Sequence, residues 1–286
     1  MCEAAHVQDW GRDRADDLAE LCRAAMPAEK LSTDELLACC WDDPGLVLGT
    51  QDGAGAASVV IRTFGDVAIG YLKLIAVQPG ARRTGVGRTL LTAAEDWAWQ
   101  QGAVELQLGG SAPFYLWPGV DVTQLAMLCL AESAGYEPTG AAFDMSVPTT
   151  FRAPVPAGLE ARRVLDDVDV AAVERLVADV WPEWVVETGR GIEQGTCLAT
   201  FDSVTGAATA FACHSVNRSA WFGPTGTHPD RRHEGAALAL LGEVAKDLTA
   251  AGYADTEICW IGPVGFHAAA GGAISRTYRT LRKRRP

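Results

Sequence analysis

The chain has 286 residues, 48% hydrophobic and 21% charged, and carries a formal net charge of −12. This is length enough for two ordinary domains, and the composition excludes a disordered chain. No apolar run approaches the roughly 20 residues that cross a bilayer, and the acidity argues against general nucleic-acid binding while mildly favouring a cationic ligand.

The first 40 residues read as two helices. Leu18, Leu21, Cys22 and Ala25 form one stripe, and Ser32 with Glu35 makes a capping box ahead of LLACCW. Short strands follow in LVLGT, AASVVIR and VAIGYLKLIAV, then a helix from about Gly85 to Gln101 and a strand in VELQL. Residues 123–134 read as a helix stopped by Gly135, and AAFDMSV as a strand. PTTFRAPVPAGL, with three prolines, reads as a linker at 148–158. Past it the order repeats: strand LEARRVL, helix Asp167–Trp181, paired strands TCLATFD and ATAFACHSV, SAWFGPTGT, a helix from about Gly235 to Ala251, strand TEICWIG, short helix FHAAA and strand AISRTYRTL. Two halves of like order imply an internal duplication with α/β layers in each, divided as 1–150 and 151–286.

Charge follows this division. Residues 1–150 hold 9 Lys+Arg and 20 Asp+Glu, or −11; residues 151–286 hold 15 and 16, or −1. Six of those bases lie in the last eleven residues, RTYRTLRKRRP, which suits a solvated terminus or an acidic partner. Eight cysteines, at 2, 22, 39, 40, 129, 197, 213 and 259, form no CxxC and no zinc-finger spacing, so no metal site is expected. Reduced thiols and an N-terminus without a signal-peptide core lead to the expectation of a cytoplasmic protein.

One junction carries chemistry. In VQPGARRTGVGRTLL, residues 77–91, a strand passes through Pro79 and two glycines into an apolar helix. A helix N-terminus has unpaired N–H groups and a positive dipole end, so it attracts anions. Gly85 and Gly87 let a diphosphate approach the backbone, and Arg82, Arg83 and Arg88 add charge. The string is neither a Walker A loop nor a Rossmann fingerprint.

Val77, Pro79, Arg82, Gly85 and Gly87 together resemble motif A of the GCN5-related N-acetyltransferases (GNAT). The strand order of both halves is similar to that family too. The resemblance implies two fused GNAT domains, each a mixed, mostly antiparallel central sheet flanked by helices. It also implies that Ile75, Ala76 and Val77 pair with the pantetheine arm of acetyl-CoA or another acyl-CoA. Arg82, Arg83, Thr84, Gly85, Val86, Gly87, Arg88 and Thr89 would then hold the diphosphate.

THPDRRHEGAALALL, residues 227–241, repeats the skeleton with Thr227, Pro229, Arg232, Gly235 and Ala237. Glu234 stands where Thr84 stands, and a carboxylate repels a diphosphate unless it points away or pairs with Arg231 or Arg232. The second loop is therefore the poorer coenzyme site, and its half is degenerate or auxiliary in expectation.

Acyl transfer to an amine needs a proton acceptor for the amine and a donor for the leaving thiolate. Ala131 stands where the family places a tyrosine. Tyr115, Cys129 and, in the second half, His267 are the candidate acids, since a histidine ordinarily titrates near neutrality. Asp66, Asp121 and Asp144 are candidate bases, Asp121 first, because Tyr115 and Trp117 would wall a cationic amine beside it. The expected activity is N-acyl transfer from coenzyme A to a small-molecule amine. The Ala-, Gly-, Arg- and Trp-rich composition suggests a high-GC bacterial gene, and analogy with the family it resembles then implies antibiotic modification or secondary metabolism. Two alternatives stand beside it: a donor carried on the pantetheine arm of an acyl carrier protein, and a non-catalytic coenzyme-binding regulator.

Overall fold

The structure, a computed structural model, describes residues 6–286; Cys2 lies outside them. The chain packs as two units. Of the described residues, the first comprises 6–142 and 277–286, and the second 143–276.

In the first unit, strand β1 (Val7–Asp9) precedes helices α1 (Ala15–Ala25) and α2 (Thr33–Cys40). The capping box forms as expected, with Ser32 Oγ accepting from the Glu35 amide at 3.1 Å and Glu35 accepting from the Ser32 amide at 2.9 Å. Strands β2 (Gly45–Thr50), β3 (Gly55–Phe64) and β4 (Val67–Val77) make an antiparallel meander. Helix α3 (Val86–Gln100) then crosses over to β5 (Glu105–Leu108), which lies parallel to β4. A short strand β6 (Val120–Asp121), helix α4 (Leu125–Ser133) and strand β7 (Glu137–Pro148) complete this part of the chain.

The two sides of the sheet are filled by different helices. Val86, Leu90, Leu91, Ala94 and Ala98 of α3 recur every three to four residues and bury that face against Val59, Leu72 and Leu106. Leu18, Leu21 and Leu36 of α1 and α2 cover the other side with Leu74 and Ala76. Cys39 and Cys40 are buried in this second core.

The second unit repeats the order with strand β8 (Leu159–Arg163), helices α5 (Asp167–Val180) and α6 (Val185–Glu193), and strands β9 (Cys197–Asp202), β10 (Ala208–His214) and β11 (Phe222–Thr227). These strands pair antiparallel in the order β11-β10-β9-β8. Helix α7 (Ala236–Ala250) leads to β12 (Asp255–Ile258), then helix α8 (Val264–Ala269) and strand β13 (Ala273–Arg284). Strand β12 pairs with Met145–Pro148 of β7.

The basic tail is a strand, not a solvated terminus. Leu281–Arg284 of β13 pair with β5 of the first unit, and Lys283 donates to Glu95 Oε2 at 2.7 Å. The expected linker at 148–158 lies along α7, where Ala153 N is 3.0 Å from the place a Cβ on Gly242 would take. Among the described residues no helix is long and apolar enough to cross a membrane.

Candidate functional site

β4 leaves its neighbour midway. It pairs with β5 only from Ile69 to Leu72. The register with β3 shifts at the same place, where Val59 faces Leu72 but Ser58 faces Leu74, so Lys73 is a bulged residue. A bulge bends its strand and ends regular pairing. From there Ile75, Ala76 and Val77 keep β3 as ladder partner, and β5 offers them none among the described residues. Such an edge is available to an extended ligand.

The strand ends in a single 3-10 turn, Pro79–Ala81, and a loop that opens α3. Arg83 (φ 66°) and Gly85 (φ 102°) are both left-handed, which aims the chain back at the helix start. No side chain caps α3, so its first-turn N–H groups keep their anion-binding capacity. Nothing lies within 4 Å of a Cβ built on Gly85, and Gly87 sits 3.4 Å, by the same measure, from Leu130 Cδ2. The diphosphate of coenzyme A fits this cradle on its backbone donors and its clearance.

The side chains divide their duties. Arg82 is held by backbone, its Nη2 donating to Ala25 O at 2.8 Å and its Nε to Val77 O at 3.4 Å, so it anchors the loop to the end of α1. Thr84 donates to Ala81 O at 2.7 Å, and Thr89 to Gly85 O at 3.3 Å. Arg88 Nη2 meets Ser133 Oγ at 2.6 Å, at the end of α4. Val86 is buried in the core. Arg83 is exposed.

The second loop has the same backbone and different surroundings. His233 (φ 68°) and Gly235 (φ 88°) repeat the left-handed pair, and α7 also lacks a side-chain cap. Glu234 pairs with Arg231 at 2.9 Å, and Arg231 pairs with Asp202 at 3.0 Å, so two carboxylates neutralise one cation. Pro156 Cγ stands 3.3 Å from a Cβ built on Gly235, so the linker approaches the loop there, while Glu234 and Gly235 stay exposed. Arg232 is exposed, and Thr227 and Ala237 are half-buried. Beyond the Trp221–Glu257 bridge, β11 and β12 have no ladder among the described residues. Trp181 lies over Gly226 of β11, stacked on Trp184 at 5.6 Å, and belongs to the second unit's core.

The candidate proton-handling groups are dispersed. Tyr115 is half-buried in the segment after β5, its carbonyl accepting from Cys39 Sγ at 3.7 Å. Its neighbours Phe114, Leu116 and Trp117 pack with Leu74 and Ala76, on the part of β4 released from β5. Trp117, expected to wall Asp121, donates from its Nε1 to Glu29 Oε2 at 3.0 Å. Asp121 is buried, and its Oδ1 accepts from both the amide and the hydroxyl of Thr123 at 2.8 and 2.7 Å. That is the turn-making bond of an Asp two residues ahead of its donor. Asp144 is buried in the second unit and accepts from the Trp260 amide at 2.9 Å.

His267 departs from the expected titration near neutrality. It is 3% exposed, edge-on to Phe266 at 4.8 Å and to Phe222 at 6.3 Å, and its Nδ1 has no hydrogen-bond partner. Burial pushes its pKa down to about 4, so the ring is neutral at pH 7 and holds no imidazolium proton to give. Its folded value is below its unfolded one. The contribution is therefore present above about pH 6.5 and lost as pH falls toward 4. At pH 5 this amounts to about 2 kcal/mol. His267→Gln should gain that much relative to wild type between pH 7.5 and pH 5 in denaturant melts; parallel losses in both proteins would refute it.

Four charged groups escaped the sequence reading. Lys73 and Asp42 are ion-paired at 2.7 Å behind the bulge, and Glu29 and Glu187 are buried carboxyls. Lys73 had a visible signal, a lone charge inside the apolar run YLKLIAV.

Comparison with known proteins agrees with this geometry. The model of the acetyltransferase (GNAT) family matches residues 15–115. No curated protein matches the chain in sequence. Among solved structures, a GCN5-related N-acetyltransferase from Sphaerobacter thermophilus aligns at 22% identity and a TM-score of 0.71, over 98% of this chain and 96% of that one. A tandem GNAT protein from the clavulanic acid biosynthesis pathway aligns at 14% and 0.75, over 98% of each. The glucosamine N-acetyltransferase region of a fungal multi-domain beta-N-acetylglucosaminidase aligns at 17% and 0.78, over 99% of this chain and 38% of that longer protein. At these identities the likenesses establish the fold. The chain thus has the fold of tandem GNAT proteins and matches, over residues 15–115, the model of the acetyltransferase (GNAT) family, whose members are acyl-CoA-dependent N-acetyltransferases.

Proposed function

We propose that this protein is an N-acyltransferase that moves an acetyl or other acyl group from coenzyme A to the amine of a small molecule, with the coenzyme held by the first unit. The observation that carries this reading is one continuous feature: β4 freed from β5 beyond Leu72, running into a helix start with no side-chain cap. Acetyl-CoA supplies the activated acyl group. Ile75–Val77 offer the strand edge for its pantetheine arm, and the first turn of α3, with Arg83 and Arg88, receives the diphosphate. Tyr115 is the proposed proton-handling group, because its segment packs on the same stretch of β4. Asp121 serves chiefly to shape the turn before α4.

The second unit is read as an auxiliary half, since Glu234 and Asp202 both pair with Arg231 of its loop. The name of the glucosamine N-acetyltransferase region is in keeping with a small-molecule acceptor, and that of the tandem protein from clavulanic acid biosynthesis with a role in secondary metabolism. The seven cysteines among the described residues are all free, in accord with a reducing, cytoplasmic setting.

Thermal shift with acetyl-CoA tests the reading. Wild type should be stabilised, and Gly235→Asp should show the same ligand-induced shift from a slightly lower starting midpoint, because the left-handed φ costs a non-glycine residue about 1 kcal/mol. No shift in wild type at millimolar acetyl-CoA would sink the proposal for free coenzyme. Transfer from an acylated carrier protein in that case would assign the donor to the carrier.

A further inference from the structure

The bulge that frees β4 is fastened to the end of α2. Lys73, 2% exposed, donates from Nζ to Cys39 O at 2.7 Å and to Asp42 Oδ2 at 2.7 Å. On the facing strand, Ser58 donates from Oγ to Cys40 O at 2.8 Å. Both residues at the register shift therefore bind the last carbonyls of the same helix, where a cation also meets the negative end of the dipole. Asp42 pairs in addition with Arg62 of β3, and Arg62 Nε donates to Ala112 O at 3.0 Å in the segment after β5. One network thus joins the bulge, α2, β3 and the chain leaving β5.

This network is an expensive way to stabilise a strand. Burial pushes the Lys73 ammonium below its ordinary pKa, with Asp42 opposing. Its neighbours Leu72 and Leu74 show that an apolar side chain suits this strand, and a buried ion pair is seldom better than an apolar residue for stability. What the charge adds is direction, because it ties the bulge to fixed acceptors one residue beyond the last β4–β5 pair.

We infer that Lys73 is a positioning residue for the coenzyme, setting how far β4 diverges from β5 and so the slot for the pantetheine arm. The inference rests on the function proposed for the first unit. Lys73→Met keeps the stem and leaves Asp42 paired with Arg62. The full-length protein is titrated calorimetrically with acetyl-CoA and with 3′-phospho-ADP, which is the coenzyme lacking its pantetheine arm. The variant should bind acetyl-CoA about tenfold or more weakly and 3′-phospho-ADP within about twofold of wild type, since only the arm reads the slot. Equal loss of both ligands, or loss of neither, overturns the inference. Should Lys73→Met fail to fold, Ser58→Ala must show the same selective loss to a smaller degree, and its failure to do so has the same force. A wild type that binds neither ligand overturns the functional reading itself, an outcome seen without any variant.

Discussion

Gly85→Asp should abolish acetyl-CoA binding in the first unit and leave the unliganded protein close to wild-type stability. Gly85 is at φ 102° with open space around its Cβ position, so the cost of a side chain is backbone strain alone. That strain is about 1–2 kcal/mol. The new carboxylate would sit at the N-terminus of α3, which has no side-chain cap, and its attraction to the helix dipole offsets part of the strain. The same carboxylate competes for the N–H donors a diphosphate needs and repels it. Loss of affinity of about a hundredfold or more follows, because two like charges about 4 Å apart near a protein surface cost several kcal/mol. Titration calorimetry against wild type and Gly235→Asp gives the contrast. If the two substitutions weaken binding equally, the loops share the ligand and the assignment to the first unit is wrong.

Glu187→Gln should stabilise the second unit at pH 8 and do little at pH 4.5. Glu187 lies on α6, is buried, and accepts from Asn217 Nδ2 at 2.9 Å. Burial pushes its pKa up to about 8, with Asn217 and Arg190 opposing. The folded value is above the unfolded one, so the fold holds a proton there that the unfolded chain has released between roughly pH 4.5 and 8. Its contribution is therefore complete below pH 4.5 and lost as pH rises through about 8. The loss is about 3–5 kcal/mol, at 1.36 kcal/mol per pKa unit. Glutamine keeps an acceptor for Asn217 and cannot ionise. Urea denaturation at the two pH values should show the variant's advantage only at the higher one. An equal difference at both would mean that packing, and not ionisation, separates the proteins. His267 tilts the same unit the opposite way, so the wild-type pH profile is the sum of opposed slopes.

Features whose causes are local were legible in the sequence. Ser32 and Glu35 cap α2 because the bonds span three residues. The Val77–Gly87 string declares a strand-to-helix turn because proline and glycine each restrict or permit φ by themselves. Asp121, read as a candidate base, also carries a local signal: Asp-Val-Thr is a turn signature, and Thr123 satisfies it. Nonlocal features were hidden. AISRTYRTL reads as a strand, but no alternation tells that it belongs beside β5, 173 residues earlier in the chain (Leu281 opposite Leu108). His267 looks like any histidine until Phe222 and Phe266 close around it. The approach of Pro156 to Gly235 likewise joins positions whose proximity only folding creates.

The return of Thr277–Pro286 to the first unit bears on how the protein is made. On the ribosome, β5 emerges long before the strand that lies against it, and for the whole synthesis of the second unit its edge stays unpaired. An unpaired strand edge is a template for association with other chains. The amino-terminal half therefore cannot finish folding as it is synthesised, as amino-terminal domains commonly do, and its completion waits on closure of a loop spanning most of the polypeptide. For the same reason a gene cut at residue 150 would yield a first half without its β13 strand, and activity measured on that fragment would report the missing strand as much as the site.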